Sequence, residues 1–150
     1  MRGTIVRAAA AVLTTVVLAA QAHARDVAQG LRGRWNVDKH AAVEAGAPPE
    51  YHAATPEKKK EMLAEAVKGV PDMSFEFTAD TISADMGSGE PQVATYRVTK
   101  VEKGTVYFDA IARTAPDQEP DKMYAEFVDD DTIRLSKVGD EVVLVLKRAQ

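Results

Sequence analysis

Histidine and methionine side chains are the residues of this sequence that could bind a metal ion. His40 and His52 are twelve positions apart in one irregular stretch, a spacing that does not bring ligands together. Thioether sulfurs bind Cu(I), but the methionines beyond the first residue are spread along the chain without a Met-x-x-Met cluster. These methionines are Met62, Met73, Met86 and Met123. We interpret the histidines as solvated and the methionines as core residues, and we expect no metal site.

Acidic and basic runs offer no clear catalytic arrangement either. Asp129-Asp130-Asp131 resembles a calcium loop in charge, but it lacks the glycine and the distal glutamate of an EF-hand, so we predict a solvated turn. The sequence contains no cysteine, which excludes thiol enzymes and Cys-ligated zinc sites. No Ser-His-Asp or paired-carboxylate arrangement stands out. The sequence therefore favours a protein that is not an enzyme and that holds no cofactor.

The first 24 residues have the features of a secretory signal peptide. Two arginines precede an apolar stretch over residues 8–20, and Ala22-His23-Ala24 is an Ala-x-Ala cleavage site. An uncleaved anchor is the alternative interpretation of this stretch. Cleavage predicts one domain over residues 25–150, in the periplasm or secreted, with no stable membrane anchor.

The charge balance excludes some classes of partner. The whole chain has 19 basic and 23 acidic residues, a net charge of −4, and removal of Arg2 and Arg7 with the signal peptide makes it more negative. No basic patch is available to replace phosphate counterions, so we expect no nucleic-acid partner. The same excess of acidic residues disfavours binding to an anionic membrane surface.

One helix is predicted, after an irregular connector over residues 39–55. Thr55 suits an N-cap, Pro56 the first helical position and Glu57 the first turn. Apolar residues then recur at helical spacing until Gly69 stops the helix. The prediction is a single helix over about 56–68.

The rest of the chain alternates between apolar and polar residues with a period of two, which indicates half-buried strands. Short clusters of turn residues separate the segments. Eight such segments are present, centred on residues 31–38, 73–78, 82–86, 94–99, 106–111, 123–127, 133–136 and 142–146. Eight strands joined by short turns favour an all-β, up-and-down antiparallel barrel. A sandwich or an incompletely closed barrel is the alternative.

The start of the first strand resembles a known family. Gly33 lies two residues before Trp35, and this Gly-x-Trp pattern is similar to the entry motif of the lipocalin (calycin) superfamily. The resemblance implies that Trp35 plugs the closed end of a small barrel, that Gly33 lets the chain cross beneath it, and that a basic residue of the last strands covers the indole. Three candidates for that role are Arg134, Lys147 and Arg148.

The strand order of a meander predicts different interior residues at the two ends. Trp35, Phe77, Ile82, Val98, Val106, Phe127, Ile133 and Leu146 are predicted at the closed end, and Val37, Met73, Met86, Ala94, Ala110, Met123, Leu135 and Val142 at the other end. Methionine accepts varied apolar shapes, and facing Ala94 and Ala110 would leave room.

The predicted ligand site at that end is Met73, Met86, Ala94, Ala110, Met123 and Leu135, with Met62 of the helix above it as a lid. In the alternative, Met62, Leu63 and Val67 of the helix fill the space and leave no pocket.

Two functions are therefore open. The lipocalin resemblance implies a carrier or sensor of a small hydrophobic, lipid-like molecule such as a fatty acid. The alternative is a packed barrel without a ligand that acts through protein–protein contact, as an inhibitor or envelope accessory protein. Its binding face would consist of the outward residues Tyr107, Ile111, Tyr124 and Val143. A pocket of several hundred cubic ångströms beneath the helix would support the carrier. A filled interior with an exposed apolar patch would support the protein that acts through contact.

Overall fold

Eight antiparallel strands close into an up-and-down barrel in which β1 pairs with both β2 and β8. A computed structural model describes residues 26–150, and the predicted signal peptide lies outside the described residues. The strands are β1 (Gly33–Val37), β2 (Ser74–Phe77), β3 (Thr81–Asp85), β4 (Gln92–Glu102), β5 (Thr105–Ala112), β6 (Asp121–Asp129), β7 (Thr132–Lys137) and β8 (Leu144–Arg148). This confirms the predicted barrel and its strand order.

Three helices follow β1, where the sequence predicted one. They are α1 (Lys39–Ala45), α2 (Pro49–Ala53) and α3 (Pro56–Lys68). The prediction of α3 is confirmed, with the Thr55 hydroxyl accepting from Lys58 N at 3.3 Å. The prediction of an irregular chain over residues 39–55 is wrong. Asp38 caps α1 by accepting from Ala41 N at 3.1 Å, and Pro49 suits the first turn of α2.

The packing of the helices determines which of them covers the barrel. α1 packs against β8, and its Ala42 lies against the barrel core, whereas α3 packs against α1 and α2. The strands are therefore covered by the short helix that the sequence analysis missed. Within residues 26–150, no helix has both the length and the apolar composition needed to cross a membrane.

The lower half of the barrel is filled by aromatic and branched side chains. Phe77, Tyr96 and Phe108 contact one another edge to face, with ring centroids 5.5–6.2 Å apart, a favourable geometry for aromatic pairs. Burial raises the pKa of the Tyr96 hydroxyl, which donates to Thr78 O at 2.6 Å. Of the residues predicted here, Trp35, Phe77, Val106, Ile133 and Leu146 are buried, and Ile82, Val98 and Phe127 pack around them.

The closed end is built on Trp35 and Arg148. The Trp35 indole is fully buried and donates from Nε1 to Leu31 O at 2.7 Å. The Arg148 guanidinium lies over this indole, 4.2 Å from its centroid, within the range of a cation–π interaction. Register explains the contact, because Trp35 is paired with Arg148 across β1 and β8.

The Arg148 guanidinium also binds three backbone carbonyl groups at this end. Its Nη2 donates to Gly30 O at 2.7 Å and to Asp130 O at 3.2 Å, and its Nη1 donates to Arg32 O at 3.1 Å. Gly33 has φ +117°, and a Cβ there would lie 3.4 Å from Nη1. A side chain at position 33 would therefore strain the backbone beside the guanidinium. Among the three basic candidates, Arg148 covers the tryptophan.

Candidate ligand cavity

An apolar cavity of about 220 Å³ opens at the end of the barrel opposite Trp35. Four alanines line it, and their short side chains leave the space: Ala84, Ala94, Ala110 and Ala112. Strand register sets their positions, because Ala94 is paired with Ala112, and Ala110 with Tyr96. The expectation that Ala94 and Ala110 face each other directly is wrong by two residues of register, but both alanines line the same cavity.

The deeper wall of the cavity is apolar. It is formed by Phe75, Ile82, Phe108, Met123 and Leu135. Phe108 belongs both to this wall and to the aromatic cluster below. One buried ring thus separates the cavity from the filled half of the barrel. A site of this composition can hold an apolar body but offers it no hydrogen-bonding partner at depth.

Polar side chains are confined to the rim. Gln92 begins β4 and Asp121 begins β6, and both line the cavity where it meets solvent. Lys137 Nζ lies 2.7 Å from Asp121 Oδ1, with both side chains half exposed. The hydrogen bond from Lys137 to Asp121, followed by the charge of that carboxylate, raises the pKa of Lys137. The mouth therefore combines an apolar interior with an exposed ion pair.

The structure brings four of the seven predicted site residues into this cavity: Ala94, Ala110, Met123 and Leu135. Met73 packs against the barrel core and lines a separate polar groove. Met86 lies one residue past the end of β3 and is 41% exposed, so strand alternation no longer directs it inward. Met62 lies in a surface groove along α3, because that helix packs on α1. It does not act as a lid over the cavity.

Sequence reasoning missed the rim residues Gln92 and Asp121. Each lies two positions before a predicted inward residue, Ala94 or Met123, so extending the period of two would have placed both inside. The predicted strand segments begin at the apolar residues Ala94 and Met123, and so they leave out the two polar residues before them. The prediction of Val142 as an interior residue of the open end is wrong, because this residue lies in the β7–β8 turn and is exposed.

A second groove of about 410 Å³ lies on the outer wall beside β1, β2 and β3. Its lining is polar, and Lys39 forms an ion pair there with Asp72. Arg34 Nη2 also donates to the Ser74 hydroxyl at 3.5 Å. Lys39, Asp72 and Arg34 thus have polar partners within the groove.

The two histidines and the outward tyrosines of the alternative binding face lie apart from the cavity. His40 and His52 are exposed, and residues 26–150 contain no group of three metal-binding side chains of the His, Cys, Asp or Glu type. On the outer wall, Tyr107 and Tyr124 lie with ring centroids 6.2 Å apart. Lys100 Nζ covers the Tyr107 ring at 4.7 Å, which places a charge over this aromatic pair.

No family model, no curated protein and no solved structure matches the chain.

Proposed function

We propose that this protein binds a compact apolar molecule in the mouth of its barrel and acts as a carrier or sensor. The observation that supports this function is the cavity itself, apolar in depth and polar only at the rim. Ligand sites in proteins combine these same features. Because the cavity is lined by strands of a closed barrel, it needs no rearrangement of the fold to accept a ligand.

The cavity volume favours a ligand smaller than a long-chain fatty acid. An engineered cavity of about 150 Å³ holds benzene, so about 220 Å³ corresponds by proportion to roughly nine non-hydrogen atoms. Drug-sized ligands occupy about 300–1,000 Å³. The proposed ligand is therefore a single ring with a short substituent, or a short aliphatic chain.

Membership of a lipocalin-like family is part of the same proposal. Its support is the eight-stranded barrel together with the Gly33, Trp35 and Arg148 arrangement at the closed end. A role outside the cytoplasm follows from the predicted signal peptide. The cavity contains no nucleophile beside a base, so we propose binding without catalysis.

Filling the cavity tests the proposal. In the Ala110→Phe variant the new ring occupies the space between Phe108 and the rim, so binding of a neutral probe, 3-phenylpropan-1-ol, should weaken at least tenfold. Titration calorimetry measures the affinity, and urea unfolding followed by circular dichroism measures stability. Ile111→Phe is the matched control, because residue 111 lies on the same strand but faces outward, and its affinity should stay within twofold.

The opposite outcome would favour the packed barrel. If the wild-type protein binds no probe and Ala110→Phe lowers the free energy of unfolding by about 1–3 kcal/mol, as overpacking does, the space is too small for a ligand. The carrier function would then be abandoned for action through protein contact.

A further inference from the structure

The charge at the cavity mouth indicates which kind of polar group the ligand carries. Among the lining residues, all within the described part of the chain, only Asp121 is charged. Its partner Lys137 contacts Oδ1 and lies at the same mouth, paired with Met123 across β6 and β7. A carboxylate accepts hydrogen bonds through both of its oxygens, so Asp121 can accept from a ligand while it keeps its contact with Lys137.

Three turns around the mouth extend this negative charge. The antiparallel registers place the β3–β4, β5–β6 and β7–β8 turns at the cavity end of the barrel, beyond the Ala84–Gln92, Ala110–Asp121 and Leu135–Leu144 pairs. One arginine, Arg113, lies in these turns. Their exposed carboxylates are Glu90, Asp117, Glu119, Asp140 and Glu141. We call these five residues the acidic turns.

The acidic turns act on a ligand mainly through their combined field. Charges of one sign around a cleft raise the local concentration of the opposite charge, over distances of about 10 Å at 0.1 M salt. An anionic ligand would have to pass this field to reach Lys137. A cationic ligand is attracted by the field and finds Asp121 at the cavity edge.

We propose that the ligand is a compact amphiphile with a cationic amine. Its apolar body fills the cavity, and its ammonium contacts the Asp121 carboxylate and the side-chain carbonyl oxygen of Gln92. This inference rests on the proposed function and specifies its ligand class. The Lys137–Asp121 pair does not block it, because Lys137 contacts Oδ1 and the second oxygen of the carboxylate can accept from the ligand. The apolar body supplies the affinity, and the ammonium supplies the preference among ligands.

Three probes with one apolar body and different head groups test the inference. They are 3-phenylpropylamine, 3-phenylpropan-1-ol and 3-phenylpropionate, measured by titration calorimetry with the mature protein at pH 7 and low salt. The amine should bind at least tenfold more tightly than the alcohol, and the alcohol more tightly than the carboxylate. Raising the salt concentration to 0.5 M should reduce the preference for the amine, because exposed charges are screened.

Two variants separate the rim carboxylate from general acidity. Asp121→Asn should bring the affinity for the amine to within about threefold of that for the alcohol, with both affinities measured in the same variant. Asp130→Asn removes one carboxylate at the closed end, where only the backbone of Asp130 contacts Arg148, and should leave all three affinities unchanged.

The outcomes distinguish this inference from the proposed function. If the alcohol and the amine bind equally, or the carboxylate binds most tightly, the cationic class is wrong and the cavity remains a binding site. If none of the three probes binds, both are overturned. If Asp121→Asn keeps the full preference for the amine, the contact with Asp121 is wrong.

Discussion

Replacing Trp35 with Ala should lower the free energy of unfolding by about 3–5 kcal/mol, the cost of truncating a large buried aromatic residue. The indole is fully buried, packs edge to face on Phe127 with centroids 6.3 Å apart and is covered by Arg148. Its removal would leave a cavity at the closed end and an unpaired acceptor at Leu31 O. Urea unfolding followed by circular dichroism measures the change, since the only tryptophan is lost.

Trp35→Phe provides the second variant if Trp35→Ala does not fold. It keeps an aromatic ring beneath the guanidinium but removes the Nε1 donor, so the cost should be smaller than that of Trp35→Ala. The wild-type protein should show blue-shifted tryptophan emission. Emission at the wavelength of free tryptophan, or a cost below about 1 kcal/mol for Trp35→Ala, would contradict the described closed end.

Replacing Arg148 with Ala should have the next largest effect, about 2–3 kcal/mol. Each hydrogen bond from a charged donor contributes about 1.5–3 kcal/mol, but the side chain is about one third exposed, so water partly replaces the donors lost to Gly30, Arg32 and Asp130. The same unfolding measurement gives the value. Arg148→Lys should recover less than half, because an ammonium lacks the planar fork that reaches several carbonyls.

Arg134→Ala is the matched control for this prediction. Arg134 is an exposed arginine on the neighbouring strand β7, and exposed substitutions usually change stability by no more than about 0.5 kcal/mol. Equal losses for the Arg134 and Arg148 variants would show that net charge, and not the contacts at the closed end, determines the effect.

The barrel was predictable because the alternation of apolar and polar residues along each strand is visible in a single sequence. Half-buried strands must alternate, and short turns between eight strands leave few arrangements. The choice between Lys147 and Arg148 was predictable in the same way, because the period of two that places Leu146 inside also places Arg148 inside and Lys147 outside. The contact of Arg148 with Trp35 was not predictable, because it depends on the pairing of these two residues across β1 and β8, which a different register would change.

The covering helix and the shape of the cavity were unpredictable for a related reason. α1 has seven residues, too few to be stable alone, so its helical state depends on packing against α3 and β8. Ala94 and Ala112 lie opposite each other because of the β4–β5 register, which the order of strands in a meander does not determine. Both features arise from tertiary contacts that local patterns do not encode.

The Arg148 contacts also have a consequence for the order of events in folding. They join residues 116 and 118 positions apart in the sequence, whereas consecutive strands from β2 to β8 meet through short turns. Contacts between distant residues form slowly, since chain entropy opposes them until much of the structure is in place. Arg148→Ala should therefore accelerate unfolding more than it slows folding. The lifetime of the native barrel is then governed by the last pair of strands to meet.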